Sequence, residues 1–180
     1  GTSASNHVLV LLELRGGNDG LNTLAPIHDP AYRQARPTLA LGDDAIALTD
    51  GLALNPALAS LEPLWRRGRL GFALGVGWSH PNRSHFKAAD QWAVGDPSGE
   101  GAGWLARAYN VRKQAGPPGD LSRQVKLALR LLGSGQCPPV LALAQGGYDT
   151  HGNQKRRHQR VLKNLAHALT ALDAGLRAMK

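Results

Sequence analysis

The sequence is short of several things, and each shortage closes off a class of protein. A single cysteine, Cys137, occurs in 180 residues, so neither a disulfide framework nor a multi-thiolate metal site can form within the chain. Aromatic residues make up only 5%, and the four tryptophans are spread out without alternating with basic residues. That pattern lacks the stacking platforms of a single-strand nucleic-acid binder. No apolar run approaches the roughly 20 residues that cross a bilayer, so no membrane span is expected. There is no Gly-x-x-x-x-Gly-Lys-[Ser/Thr] phosphate loop, and Gly75-Val76-Gly77 is too short for a dinucleotide fingerprint. No internal repeat is visible. The opening Gly1-Thr2-Ser3-Ala4-Ser5 shows no leader and has the character of a tag scar or a processed end.

What is present reads as one soluble globular domain over residues 1–180: 42% hydrophobic and 19% charged residues, enough for a core of its own. The net charge of +8 draws attention to nucleic acid, but basic residues are scattered apart from the run Lys155 to Arg160. The same balance suits an enzyme that handles small anionic esters. Nucleic-acid binding is kept as a minor reading, one that predicts affinity falling steeply with salt. Oligomeric state is not legible.

Apolar runs at Val8–Leu14, Leu70–Val76 and Val140–Ala144 predict buried strands. Helices are predicted where cap signals precede a 3–4 periodicity. These are Asp29-Pro30 to Arg36, Asn55-Pro56 to Arg67, Phe86 to Ala93, Gly103 to Tyr109, a helix opened by Asp120, and Lys155 to Met179. Gly116-Pro117-Pro118-Gly119 predicts a break. Alternating strands and helices argue for an α/β layered fold with a largely parallel sheet.

All three predicted strands run into polar loops: Gly16-Gly17-Asn18-Asp19, then His80 to His85, then Asp149-Thr150-His151. In a parallel sheet the carboxyl ends share one edge, where ligands bind. Asp149 and His151, two residues apart in extended chain, can face one ion; equally, Asp149 can cap the next helix and leave His151 exposed. Asp19, among Gly16, Gly17 and Gly20, can approach a metal or simply build a turn with Asn18. Ser84, at a loop-to-helix junction, is a candidate nucleophile or a plain helix cap. Ser84-His85-Phe86-Lys87 matches Ser-x-x-Lys, but no Ser-Asp-Asn or Lys-Thr-Gly accompanies it. His158 is either a further ligand or a buried neutral histidine, and His167 fits a helix surface.

Taken in order, "LRGGNDGLNTLAP", "HPNRSHFKAADQWAVG", "GWLARAY" and "GGYDTHGNQ" followed by His158 resemble the family known as domain of unknown function 1501. Its members are similar to alkaline phosphatases and sulfatases. The resemblance implies a three-layer α/β/α sandwich and a metal-dependent hydrolase of phosphate or sulfate esters. It implies a divalent metal (zinc, calcium or manganese) with Asp19, Asp149 and His151 as ligands and Ser84 in the nucleophile region. Asn18, His85, Asn153 and His158 are possible supporting residues. It further implies a twin-arginine export leader and a periplasmic or extracytoplasmic location. The family's later Thr-Asp-His-Gly element has no counterpart here, and the segment between Tyr109 and Leu121 is short. The chain is therefore expected to be a truncated or partial domain, with a catalytically inactive binding or scaffold domain as the alternative.

Overall fold

The computed structural model describes residues 7–109, 120–135 and 137–179. In chain order these form β1 (Leu9–Leu14), β2 (Leu24–Ala25), α1 (Pro30–Ala35), β3 (Ile46–Thr49), β4 (Leu52–Leu54), α2 (Glu62–Arg66), α3 (His85–Val94), α4 (Trp104–Tyr109), α5 (Leu121–Gly133), β5 (Val140–Gln145) and α6 (Gln154–Ala178). Two short 3₁₀ turns, Gly20–Asn22 and Pro56–Leu61, join them. The predicted break at Gly116 to Gly119 lies outside the described residues.

The fold is mixed α/β, with two small sheets. β1 and β5 pair in parallel, Leu9 opposite Val140 through Leu14 opposite Gln145. β2, β4 and β3 form an antiparallel sheet with β4 in the middle. Residues Leu52 to Leu54 follow a two-residue Asp50-Gly51 turn with Gly51 at φ +85°, the Asp-Gly signal for a tight hairpin.

This differs from a single, largely parallel sheet, and the difference begins at Leu70–Val76. That segment forms no strand. Phe72 packs on Trp65 with ring centroids 6.0 Å apart, while Leu74 and Val76 are 59% and 60% exposed. An apolar run of this length reports a taste for burial but does not name a partner strand. Three glycines within and beside it, Gly71, Gly75 and Gly77, further weaken the strand.

α5 packs on β5 and α6 packs on α5, all sharing one core with the strand pair. Gln124 of α5 donates from Nε2 to the Ala144 carbonyl (2.8 Å), and its Oε1 accepts from the Ala144 N–H (2.9 Å). An amide side chain thus occupies part of the β5 edge that faces away from β1. α6 presents Val161, Leu162, Leu165, Ala166 and Ala168 to the core, and Leu162 is fully buried with Leu54, Leu58 and Tyr148. Each such apolar side chain contributes about 1.5–3 kcal/mol. At the α5–α6 crossing a Cβ on Gly175 would lie 2.5 Å from Leu129, so glycine sets how closely the helices approach.

Candidate functional site

β1 and β5 run side by side, so their carboxyl ends open at the same place, and the two loops that follow touch. Gly16 and Gly17 adopt φ of +104° and +74°. A Cβ on Gly16 would sit 2.8 Å from the Asp149 backbone nitrogen, and one on Gly17 would overlap the His85 ring. Glycine is required at both positions for backbone and for space. Residues from three distant segments therefore meet: the loop after β1, the start of α3, and the loop after β5.

Two clusters grow from this junction. In the first, the Asp149 carboxylate faces two imidazoles, with His151 Nε2 at 2.6 Å and His85 Nε2 at 3.4 Å from the same oxygen. The side chains of Asp149 and His85 are each 47% exposed and that of His151 is 83% exposed, so this cluster lies open to solvent. Asp149 is positioned from behind by Tyr148. That ring is buried, and its hydroxyl donates to Gln145 Oε1 (2.9 Å) while Gln145 Nε2 donates to the Val161 carbonyl of α6 (2.9 Å). Burial pushes the Tyr148 phenol well above its ordinary range, so it remains a neutral anchor.

Ser84 stands beside this cluster at the N-cap position of α3. Its side chain makes no capping bond; its backbone N–H donates to Asn82 Oδ1 at 2.8 Å. Asn153 sits at the head of α6 in the left-handed conformation (φ +51°), also without a capping bond. His167 is exposed on α6.

The second cluster is closed. Asp19 Oδ1 accepts from the Asn22 N–H (3.2 Å), capping the first 3₁₀ turn. Asp19 Oδ2 accepts from Arg36 (2.7 Å) and from Gln154 Nε2 (2.6 Å). Next to it Asn18 Oδ1 lies 2.9 Å from His158 Nε2, Asn18 Nδ2 donates to Thr23 Oγ1 (3.0 Å), and the Thr23 hydroxyl donates to the Asp19 carbonyl (2.8 Å). His158 is 3% exposed. Burial holds its pKa below the ordinary value; Asp19 opposes that and Arg36 reinforces it. Asn18 Nδ2 is already engaged as a donor to Thr23, so Oδ1 is the acceptor that Asn18 turns toward the ring. A cavity of about 130 Å³ lies behind this network, lined in part by Asn22, Asn55, Lys155 and His158. It does not include Asp149, His85 or His151.

Arg36, Gln154, Thr23 and Tyr148 have no chemical motif of their own and were not singled out in the sequence. Thr23, inside "LRGGNDGLNTLAP", and Tyr148 and Gln154, inside "GGYDTHGNQ", had a signal that could have found them; Arg36 lies outside every such motif. Among the described residues no group of three His, Cys, Asp or Glu side chains is arranged to hold a metal ion. The chain matches no family model, no curated protein and no solved structure.

Proposed function

We propose that the chain is a metal-dependent hydrolase of phosphate or sulfate esters, of the alkaline phosphatase and sulfatase type. The observation that carries this reading is the meeting of Asp149, His85 and His151 on the Gly16-Gly17 loop at the carboxyl end of a parallel strand pair. The motif resemblance supports it, and with it a three-layer sandwich around a wider parallel sheet and a periplasmic or extracytoplasmic location.

The donor types at the open cluster, one carboxylate and two imidazoles, suit a divalent cation such as zinc or manganese, which would have to draw them together, because among the described residues they are not arranged to hold one. At Asp19 such an ion does not fit, because both carboxylate oxygens already accept hydrogen bonds, one of them from a guanidinium. Bound at Asp149, His85 and His151, a cation would supply charge stabilisation to the ester oxygens. The chain's own contribution is Ser84, which precedes His85 and makes no capping bond, as candidate nucleophile, and the Gly16-Gly17 loop against which His85 and Asp149 pack.

Elemental analysis of the purified protein beside Asp149→Ala tests the reading. About one divalent ion per chain, lost in the variant, supports it, as does turnover of an aryl phosphate or sulfate that Ser84→Ala abolishes. The engagement of Asp19 by Arg36 and Gln154 favours a second reading, a non-catalytic binding domain that keeps the loops without the chemistry. Absence of metal after incubation with zinc, manganese and calcium would select it.

A further inference from the structure

We infer that Asp19 is not a metal ligand in this chain: Arg36 stands in for a cation there, and any divalent ion at the strand mouth is held without it. The inference rests on the hydrolase reading above for the ion, but its claim about Asp19 rests on separate contacts.

The two carboxylates at the strand mouth differ in the chemistry of their partners. Asp149 faces imidazoles at 2.6 and 3.4 Å, a side-chain type whose ring nitrogen can offer a lone pair to a cation. The partners of Asp19 have none to offer. A guanidinium keeps its charge throughout the working pH range, and the Gln154 amide nitrogen has no lone pair to offer. An ion at Asp19 would compete with both donors on Oδ2 and lie beside Arg36, one positive charge against another.

Arg36 is also not a swinging surface side chain. It ends α1, its N–H donates to the Arg33 carbonyl (3.3 Å), and its own carbonyl accepts from Leu39 (3.2 Å) and Ala40 (2.9 Å). The side chains of Arg36 and Asp19 are 23% and 10% exposed. The contacts give Asp19 a positioning role. Through Arg36 and Gln154 it ties the end of α1 and the first turn of α6 to the loop that packs on His85 and Asp149.

The test is zinc and manganese affinity by calorimetry for the wild-type chain, Asp19→Asn, Arg36→Gln and Asp149→Asn, with denaturant unfolding of the first three and the Asp19→Asn/Arg36→Gln double variant. Asn keeps the acceptor that caps the 3₁₀ turn. Asp149→Asn should abolish measurable metal binding, while Asp19→Asn and Arg36→Gln, which act only through the loop, should cost about tenfold or less. Loss of metal in Asp19→Asn equal to that in Asp149→Asn overturns the inference. So does tighter binding in Arg36→Gln, which would mark Asp19 as a ligand that Arg36 merely covers. If the wild-type chain takes no metal, the hydrolase reading falls and unfolding alone decides the role of Asp19. Destabilisations that fail to add support the Arg36–Asp19 clamp, and additive ones overturn it.

Discussion

The two clusters at the strand mouth lie side by side and are built on opposite principles. Asn18, Asp19, Thr23, Arg36, Gln154 and His158 form a closed network in which each polar side chain has a protein partner. Asp149, His85 and His151 are half to mostly exposed, and Ser84 beside them has no capping bond. A network satisfied internally holds geometry, and buried polar groups of that kind are costly to disturb. An exposed carboxylate flanked by imidazoles adds little to stability and leaves its lone pairs available. The difference separates a supporting half from a reacting half, although both touch the loop that follows β1.

Substitutions should break the two halves differently. The largest loss of stability is expected from Asp19→Ala, which strands Arg36 and Gln154. We expect about 2–3 kcal/mol in denaturant unfolding, below the full range for buried pairs because Arg36 still reaches some solvent. Gly17→Ala comes next at about 1–2 kcal/mol, since it combines a positive φ with a collision against the His85 ring. It should also weaken metal binding, because His85 must move.

A subtler effect concerns His158. Its folded-state pKa lies below the ordinary 6.5, so the unfolded chain takes up its proton first as pH falls. The stability it contributes is complete above about pH 6.5 and is lost on acidification through and below that value. Melting temperature followed from pH 7.5 down to 5 should therefore decline, and the decline should be shallower in His158→Gln, which keeps a donor for Asn18. A pH profile unchanged by the substitution would remove His158 from the supporting half. The smallest stability effect is expected from Asp149→Ala, within about 0.5 kcal/mol as for an ordinary surface change. A large loss would mean that the open cluster is itself part of the scaffold.

Much of this was legible from local signals. Asp29-Pro30, Asn55-Pro56 and Asp120 announce their helices with cap chemistry, and all three side chains make the capping bond. The apolar stripe of α6 is buried where its 3–4 spacing puts it at Val161, Leu162 and Leu165, is half-buried at Leu169, Leu172 and Leu176, and ends exposed at Met179. The strand ends that carry Gly16 to Asp19 and Asp149 to His151 do meet. The expectation failed where the signal was non-local. Leu70–Val76 has strand composition but no partner edge, while the Asp50-Gly51 hairpin was overlooked because its strands are only four and three residues long. Arg36 was invisible as a site residue, since nothing within α1 says that its guanidinium reaches a carboxylate seventeen positions earlier. Partners that distant in sequence are fixed by topology, which periodicity does not encode.

The central claim is that the open half of the strand mouth binds a divalent ion, and metal content of the purified chain beside Asp149→Ala tests it most directly. The account predicts about one ion per chain in the wild type and none in the variant, with both proteins unfolding at nearly the same denaturant concentration. Equal metal content in the two proteins, or none in either after incubation with zinc, manganese and calcium, would contradict it.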